Sequence, residues 1–118
     1  MKVPMANPAS SKEKLRPVVP KLVELIDQTV YGDLWERPEL SKRDRSLATV
    51  SALVAMRQMD QLRSHLEKAL DHGVTAQEIS ELLTHLAIYA GFPASLSAAL
   101  IAKPLLQERG FIAKDPTP

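Results

Sequence analysis

The chain contains no cysteine. That absence excludes a disulfide framework, an iron–sulfur cluster, a thiolate zinc site and any thiol nucleophile or redox dithiol. Aromatic residues make up only 4%, so a core must be built from Leu, Ala, Val and Ile. Small aliphatic side chains favour close helix packing and leave little volume for a deep pocket inside one chain, which directs attention to a site near a subunit interface. No excess of charge of one sign is present: 15 Lys and Arg stand against 14 Asp and Glu, a net charge of +1. Without a broad cationic field, neither nucleic acid nor an anionic membrane is an expected partner. No apolar run approaches the roughly 18 residues of a membrane span, and the N-terminus lacks the apolar core of a signal peptide. A soluble cytoplasmic protein is the expectation. No stretch alternates with period 2, and there is no glycine-rich phosphate loop, internal repeat, coiled-coil heptad or basic cluster.

What the sequence does hold is a globular composition over 118 residues, with 45% hydrophobic and 25% charged residues. This fits one domain with one modest core. Residues 1–12 carry two prolines and no periodicity and read as a loose arm. Residues 111–118 read as a tail, with Phe111 and Ile112 able to pack down. Between them, over 13–110, the apolar period is about 3.6 residues throughout.

The first helix is expected to open near Pro17 or Pro20, with Val18, Leu22, Leu25, Ile26 and Val30 on one face and Gly32 as its stop. Ser41 with Asp44 forms a capping-box-like start for the second helix. Beyond Ser46 that helix is apolar nearly all round, through Leu47, Val50, Leu53, Val54 and Met56, and is expected to be the most buried. Asp60 caps a short third helix with a stripe of Leu62, His65, Leu66, Ala69 and Leu70, ended by Gly73. Thr75 with Glu78 is a clear capping box for a fourth helix, lined by Ile79, Leu82, Leu83, Leu86 and Ala90 and stopped by Gly91. Pro93 opens a fifth helix through Leu96, Leu100, Ile101 and Leu105. Pro104 is expected to kink or divide it, and Gly110 to end it. The reading is an all-α bundle of about five helices.

Few groups remain for chemistry. His65 sits in an apolar stripe, where it is either a core histidine satisfied by a backbone carbonyl or a general acid or base tuned by partial burial. His85 and Tyr89, at i and i+4, share one side of a helix. They are either an ordinary polar flank or a proton donor paired with a hydrogen-bonding phenol. His72, beside Gly73, suits the negative end of its helix and is given no chemistry. No histidine pair shows H-x-x-x-H or H-E-x-x-H spacing, so no metal site is expected. Arg37, Arg43 and Arg45 flank the second helix start. Arg43 reads as a solvated surface charge. Arg45 runs straight into Leu47 and Ala48, so its stem follows a buried helix and its guanidinium could clamp a carboxylate bidentately.

The segments YGDLWERPELSKRDRSLATVSALVA, LRSHLEKALDHGVTAQEI and HLAIYAGFPAS together resemble the carboxymuconolactone decarboxylase family, over about residues 31–97. Related antioxidant alkylhydroperoxidases carry a C-x-x-C pair shortly before the histidine equivalent to His65. Gln58 and Gln61 occupy those positions here, and Ser46 replaces the glutamate that follows their arginine. A dithiol peroxidase is therefore excluded, and the decarboxylase branch, which also places Ser after Arg, is the nearer one. Departures are the Y-C-G-x-P motif, here Y-A-G-F-P, the histidine at 85 in place of another polar residue, and an arginine-containing N-terminal segment that the given sequence does not include.

The resemblance implies a compact helical protomer assembling into homo-trimers or homo-hexamers. It also implies cofactor-independent decarboxylation of a small carboxylated lactone of the 4-carboxymuconolactone type. In that reading His65 donates the proton, His85 and Tyr89 hydrogen-bond the enolate oxygen, Arg45 holds a carboxylate and Arg37 is a second anchor. Competing expectations are lactone hydrolysis, isomerisation or another lyase reaction on a related acid, and a non-catalytic helical assembly module.

Overall fold

The computed structural model describes residues 11–117. The expected arm over residues 1–12 thus lies largely outside the described residues. Every regular element among the described residues is helical. The chain divides between Leu40 and Ser41 into two compact units.

The unit over residues 1–40 contains α1 (Ser11–Leu15) and α2 (Pro20–Leu25), which continues as a π-helical segment, Ile26–Tyr31, before a 3₁₀ turn, Leu34–Glu36. Pro20 opens α2, where its missing N–H costs no helical bond. The Asp27 carboxylate accepts from Lys12 Nζ at 2.7 Å and from Arg16 Nη2 at 2.9 Å, tying α1 to the π segment. The Tyr31 and Trp35 rings lie 5.9 Å apart. Val23 and Trp35 are buried, whereas Val18, Leu22 and Leu25, the face expected from the apolar period, are exposed. Periodicity identifies residues that share a face; it does not say which face another element covers. At Gly32 an added Cβ would meet the carbonyl oxygens of Asp27 and Gln28 at 2.7 and 2.8 Å, so the bare backbone is what lets the π segment end there.

The unit over residues 41–118 is built from α3 (Lys42–Ala55), a 3₁₀ turn (Met59–Gln61), α4 (Leu62–Asp71), α5 (Ala76–Ala90) and α6 (Phe92–Glu108). α3 packs on α4 and α5, and α6 packs on the same two helices. Their shared core joins Val50 and Val54 to Leu62 and Leu66, Ile79 and Leu83, and Ala98 and Leu105.

The caps follow the sequence. Ser41 Oγ accepts from the Asp44 N–H. Thr75 and Glu78 exchange both bonds of a capping box. Gly73, Gly91 and Gly110 take positive φ at helix ends, as their lack of Cβ permits. Asp60, expected as a cap, instead lies in the 3₁₀ turn, and Gln61 precedes α4 without a side-chain cap.

Three further expectations are corrected. α3 is not the most buried helix, since only Ser46, Val50 and Val54 are buried in it while Met56 is exposed. In α6 the buried residues are Ala94, Ser95, Ala98, Ala102 and Leu105, and the bulkier Leu96 and Leu100 are exposed. The alanines at intervals of four bring α6 close to its neighbours, a contact that leucines at those positions would hold apart. Pro104 does not divide α6, which runs unbroken from Phe92 to Glu108. Phe111 and Ile112 stay exposed.

Candidate active site

The polar side chains of the second unit begin at the start of α3. The Ser41 cap sets the helix register, which turns Ser46 inward and leaves Arg45 half-buried with its Nε enclosed. Ser46 is 1% exposed, and its Oγ lies 3.1 Å from His72 Nδ1 across the α3–α4 pair. His72 therefore does more than neutralise a helix end. It supplies the partner that a buried hydroxyl on an apolar helix face needs. Arg43, read from the sequence as a solvated charge, pairs with the Glu78 carboxylate. The backbone N–H of Thr75 and then Arg43 hold that carboxyl below its ordinary range. Both partners are more than a third exposed, so solvent screens this pair and it adds little to stability.

His65 occupies the flank of the α4 stripe, half-buried between Leu62 and Leu66 in register. Its Nδ1 is buried and has no hydrogen-bond partner, so it is not a core histidine satisfied by a carbonyl. An orphaned buried nitrogen of this kind costs about 1–3 kcal/mol. Burial, reinforced by Lys68 one turn on, pushes the imidazole down to about 4. At neutral pH it is an uncharged ring in an apolar setting. His72 follows seven residues later, two turns along nearly the same side of α4.

On α5 the His85 and Tyr89 rings lie 4.8 Å apart, tilted by 32°. The i, i+4 spacing thus does pair them, but on the outside: His85 is exposed and Tyr89 is 78% exposed. Among the described residues no hydrogen bond, ion pair or ring contact joins His65 to Arg45, His85 or Tyr89. Arg37 belongs to the first unit, where its exposed guanidinium meets Glu39 at 3.3 Å. A hollow of about 430 Å³ between α5 and α6 is lined by Leu83, Ile88, Phe92, Ser95, Leu96 and Ala99 among others, and by none of the five residues singled out from the sequence. No cluster of three or more His, Asp or Glu able to hold a metal ion occurs among the described residues.

The Ser46–His72 pair is the feature that sequence reasoning missed. Its signal was a serine at an inward position of an otherwise aliphatic helix, but the partner lies 26 residues away and follows only from the α3–α4 packing.

A match to the carboxymuconolactone decarboxylase family spans residues 20–104. The chain belongs to this family. It is 39% identical over 85 residues to a 4-carboxymuconolactone decarboxylase of Acinetobacter baylyi, covering 72% of this chain and 63% of that protein. It is 32% identical over 85 residues to a nitrosuccinic acid decarboxylase of Metarhizium robertsii, covering 72% of this chain and 59% of that one. An uncharacterized 15.0 kDa protein of Paracoccus denitrificans is 30% identical over 98 residues, 81% of this chain and 71% of its own length. The chain thus spans somewhat under two thirds of the length of the two decarboxylases. The family match runs from the start of α2 to within the last turns of α6, so it takes in Arg37, Arg45, His65, His85 and Tyr89.

Proposed function

We propose that this chain catalyses decarboxylation of a small organic acid without a cofactor, the substrate being a carboxylated lactone of the 4-carboxymuconolactone type. The reading rests on its similarity to two decarboxylases whose named substrates share one feature. In each, the bond to the departing carboxylate can pass its electrons to oxygen, through a ring alkene to a lactone carbonyl or directly to a nitro group. Such a substrate is its own electron sink, and the protein has to supply anchoring, charge stabilisation and a proton.

Arg45 is the carboxylate anchor: half-buried, with its Nε enclosed, it carries the planar fork that matches a carboxylate. The observation that carries the reading is His65, whose enclosed Nδ1 lacks a partner. A bound carboxylate beside the ring offsets the burial that keeps it neutral. The imidazole then takes up a proton as the substrate arrives, and hands it to the α carbon of the dienolate left by carbon dioxide. General acid catalysis of this kind contributes about 10²–10⁴-fold. His85 and Tyr89 donate hydrogen bonds to the developing enolate oxygen. Because both are exposed in one chain, this role requires assembly into the homo-trimer or homo-hexamer of the proposal.

The test is product analysis on 4-carboxymuconolactone. Wild type is expected to release one carbon dioxide per lactone consumed, and His65→Ala to keep its helical content while losing at least a hundredfold in kcat. Ring opening or double-bond migration without carbon dioxide would assign the scaffold to a hydrolase or isomerase. No saturable binding of lactones or dicarboxylates would leave a non-catalytic assembly module.

A further inference from the structure

A substrate of the 4-carboxymuconolactone type carries two carboxylates: one departs as carbon dioxide and the product keeps the other. The planar fork of Arg45 matches one of them. Arg37, expected from the resemblance as a second anchor, belongs to the first unit and meets Glu39 at 3.3 Å. The helix pair that carries Arg45 and His65 holds a further cation. Lys68 stands three residues after His65 on α4, one turn along the same side. Both residues are half-buried, and α4 packs on α3.

A lysine in the last turn of a helix suits the negative end of the helix dipole, and that role needs no burial. Lys68 carries a cost besides. Its charge acts on the imidazole and, after desolvation, is the second cause that holds the ring neutral. A proton donor gains nothing from a neighbouring cation in the absence of substrate. An anion between the two reverses the balance, because it meets the ammonium and lets the imidazole charge. We propose that the Lys68 ammonium binds the carboxylate that the substrate keeps, so that the site takes dicarboxylates in preference to monocarboxylates. The inference rests on the decarboxylase reading above and names the group that sets its substrate class. A compact ammonium balances the charge of this carboxylate, while the fork of Arg45 fixes the orientation of the one whose bond must break.

Calorimetric titration at pH 7 with two unreactive probes tests this. One is the saturated lactone with both carboxylates, the other the same ring with the kept carboxylate replaced by a carboxamide. Wild type is expected to bind the dicarboxylate about tenfold more tightly than the amide. In Lys68→Gln that preference should vanish through weaker binding of the dicarboxylate, with the amide unchanged, and Lys68→Arg should restore it. Proton NMR of the protein without ligand gives a second readout: His65 should titrate above about 4 in Lys68→Gln. A helix-end role alone would move neither the preference nor the titration. Should Lys68→Gln fail to fold, Lys68→Met replaces it. Equal affinity of wild type for the two probes overturns the inference and leaves the decarboxylase reading standing. So does a Lys68→Gln protein that keeps the preference, or one whose His65 titration is unmoved. Binding of neither probe to wild type overturns both.

Discussion

His65 shows how burial, more than any neighbouring charge, sets the charge state of a residue. The ring is ordinary in sequence, an imidazole one position from Leu66, and its shift to about 4 comes first from desolvation and second from Lys68. Two consequences can be measured. Between pH 6.5 and about 4 the unfolded chain takes up a proton that the folded chain refuses, so stability falls as pH drops through that window. Thermal unfolding at pH 7 and pH 4.5 should show a smaller loss of Tm in His65→Leu than in wild type. Equal losses would place the shift elsewhere. For turnover the sign follows from the need for a proton: kcat/KM is expected to rise as pH falls from 7 towards 4, and a profile that rises with pH would assign His65 to a base role. That His65 lies on an apolar stripe, that the Arg45 stem runs along a partly buried helix and that His85 and Tyr89 share one helix side was legible from spacing. Their states were not. Whether Nδ1 of His65 finds a carbonyl, whether Tyr89 faces in or out, and that Ser46 meets His72 all depend on which helices come together.

Helix ends were far more legible than helix faces. Capping is local: Thr75 and Glu78 are three residues apart and satisfy each other's backbone donors whatever packs nearby. Thr75→Ala is expected to lower unfolding free energy by about 1 kcal/mol in urea titration. Burial is set by neighbours, and α6 shows the difference. Its leucines at 96 and 100 carry the strongest apolar signal, yet the core takes Ala94, Ala98 and Ala102, since close approach to α4 and α5 admits only small side chains. Ala98, fully buried, should therefore resist enlargement: Ala98→Leu is expected to cost about 1–3 kcal/mol. Leu100→Gln, at 73% exposure, should stay within about 0.5 kcal/mol in the monomeric chain. If the two substitutions cost the same, the assignment of the buried face of α6 is wrong. The length of the first helical region was likewise read well at its Gly32 stop, while its π-helical segment left no trace in the apolar period.

At the scale of the whole molecule, the all-α class and the family could be read from three separated segments, and the family match over residues 20–104 agrees with them. No helix among the described residues is long and apolar enough to cross a membrane. The division at Leu40–Ser41 could not be read, because the helical period continues on both sides of it. Arg45 and His65 lie on the adjacent, packed helices α3 and α4, and are proposed as two walls of one anion site. The most direct test is a proton NMR titration of the His65 ring with a saturated, unreactive analogue of the carboxylated lactone. Saturable binding that raises the His65 pKa from about 4 towards neutrality, and that is weakened at least tenfold by Arg45→Ala, is the predicted result. Saturable binding that leaves the His65 resonance and its titration unmoved would contradict the account.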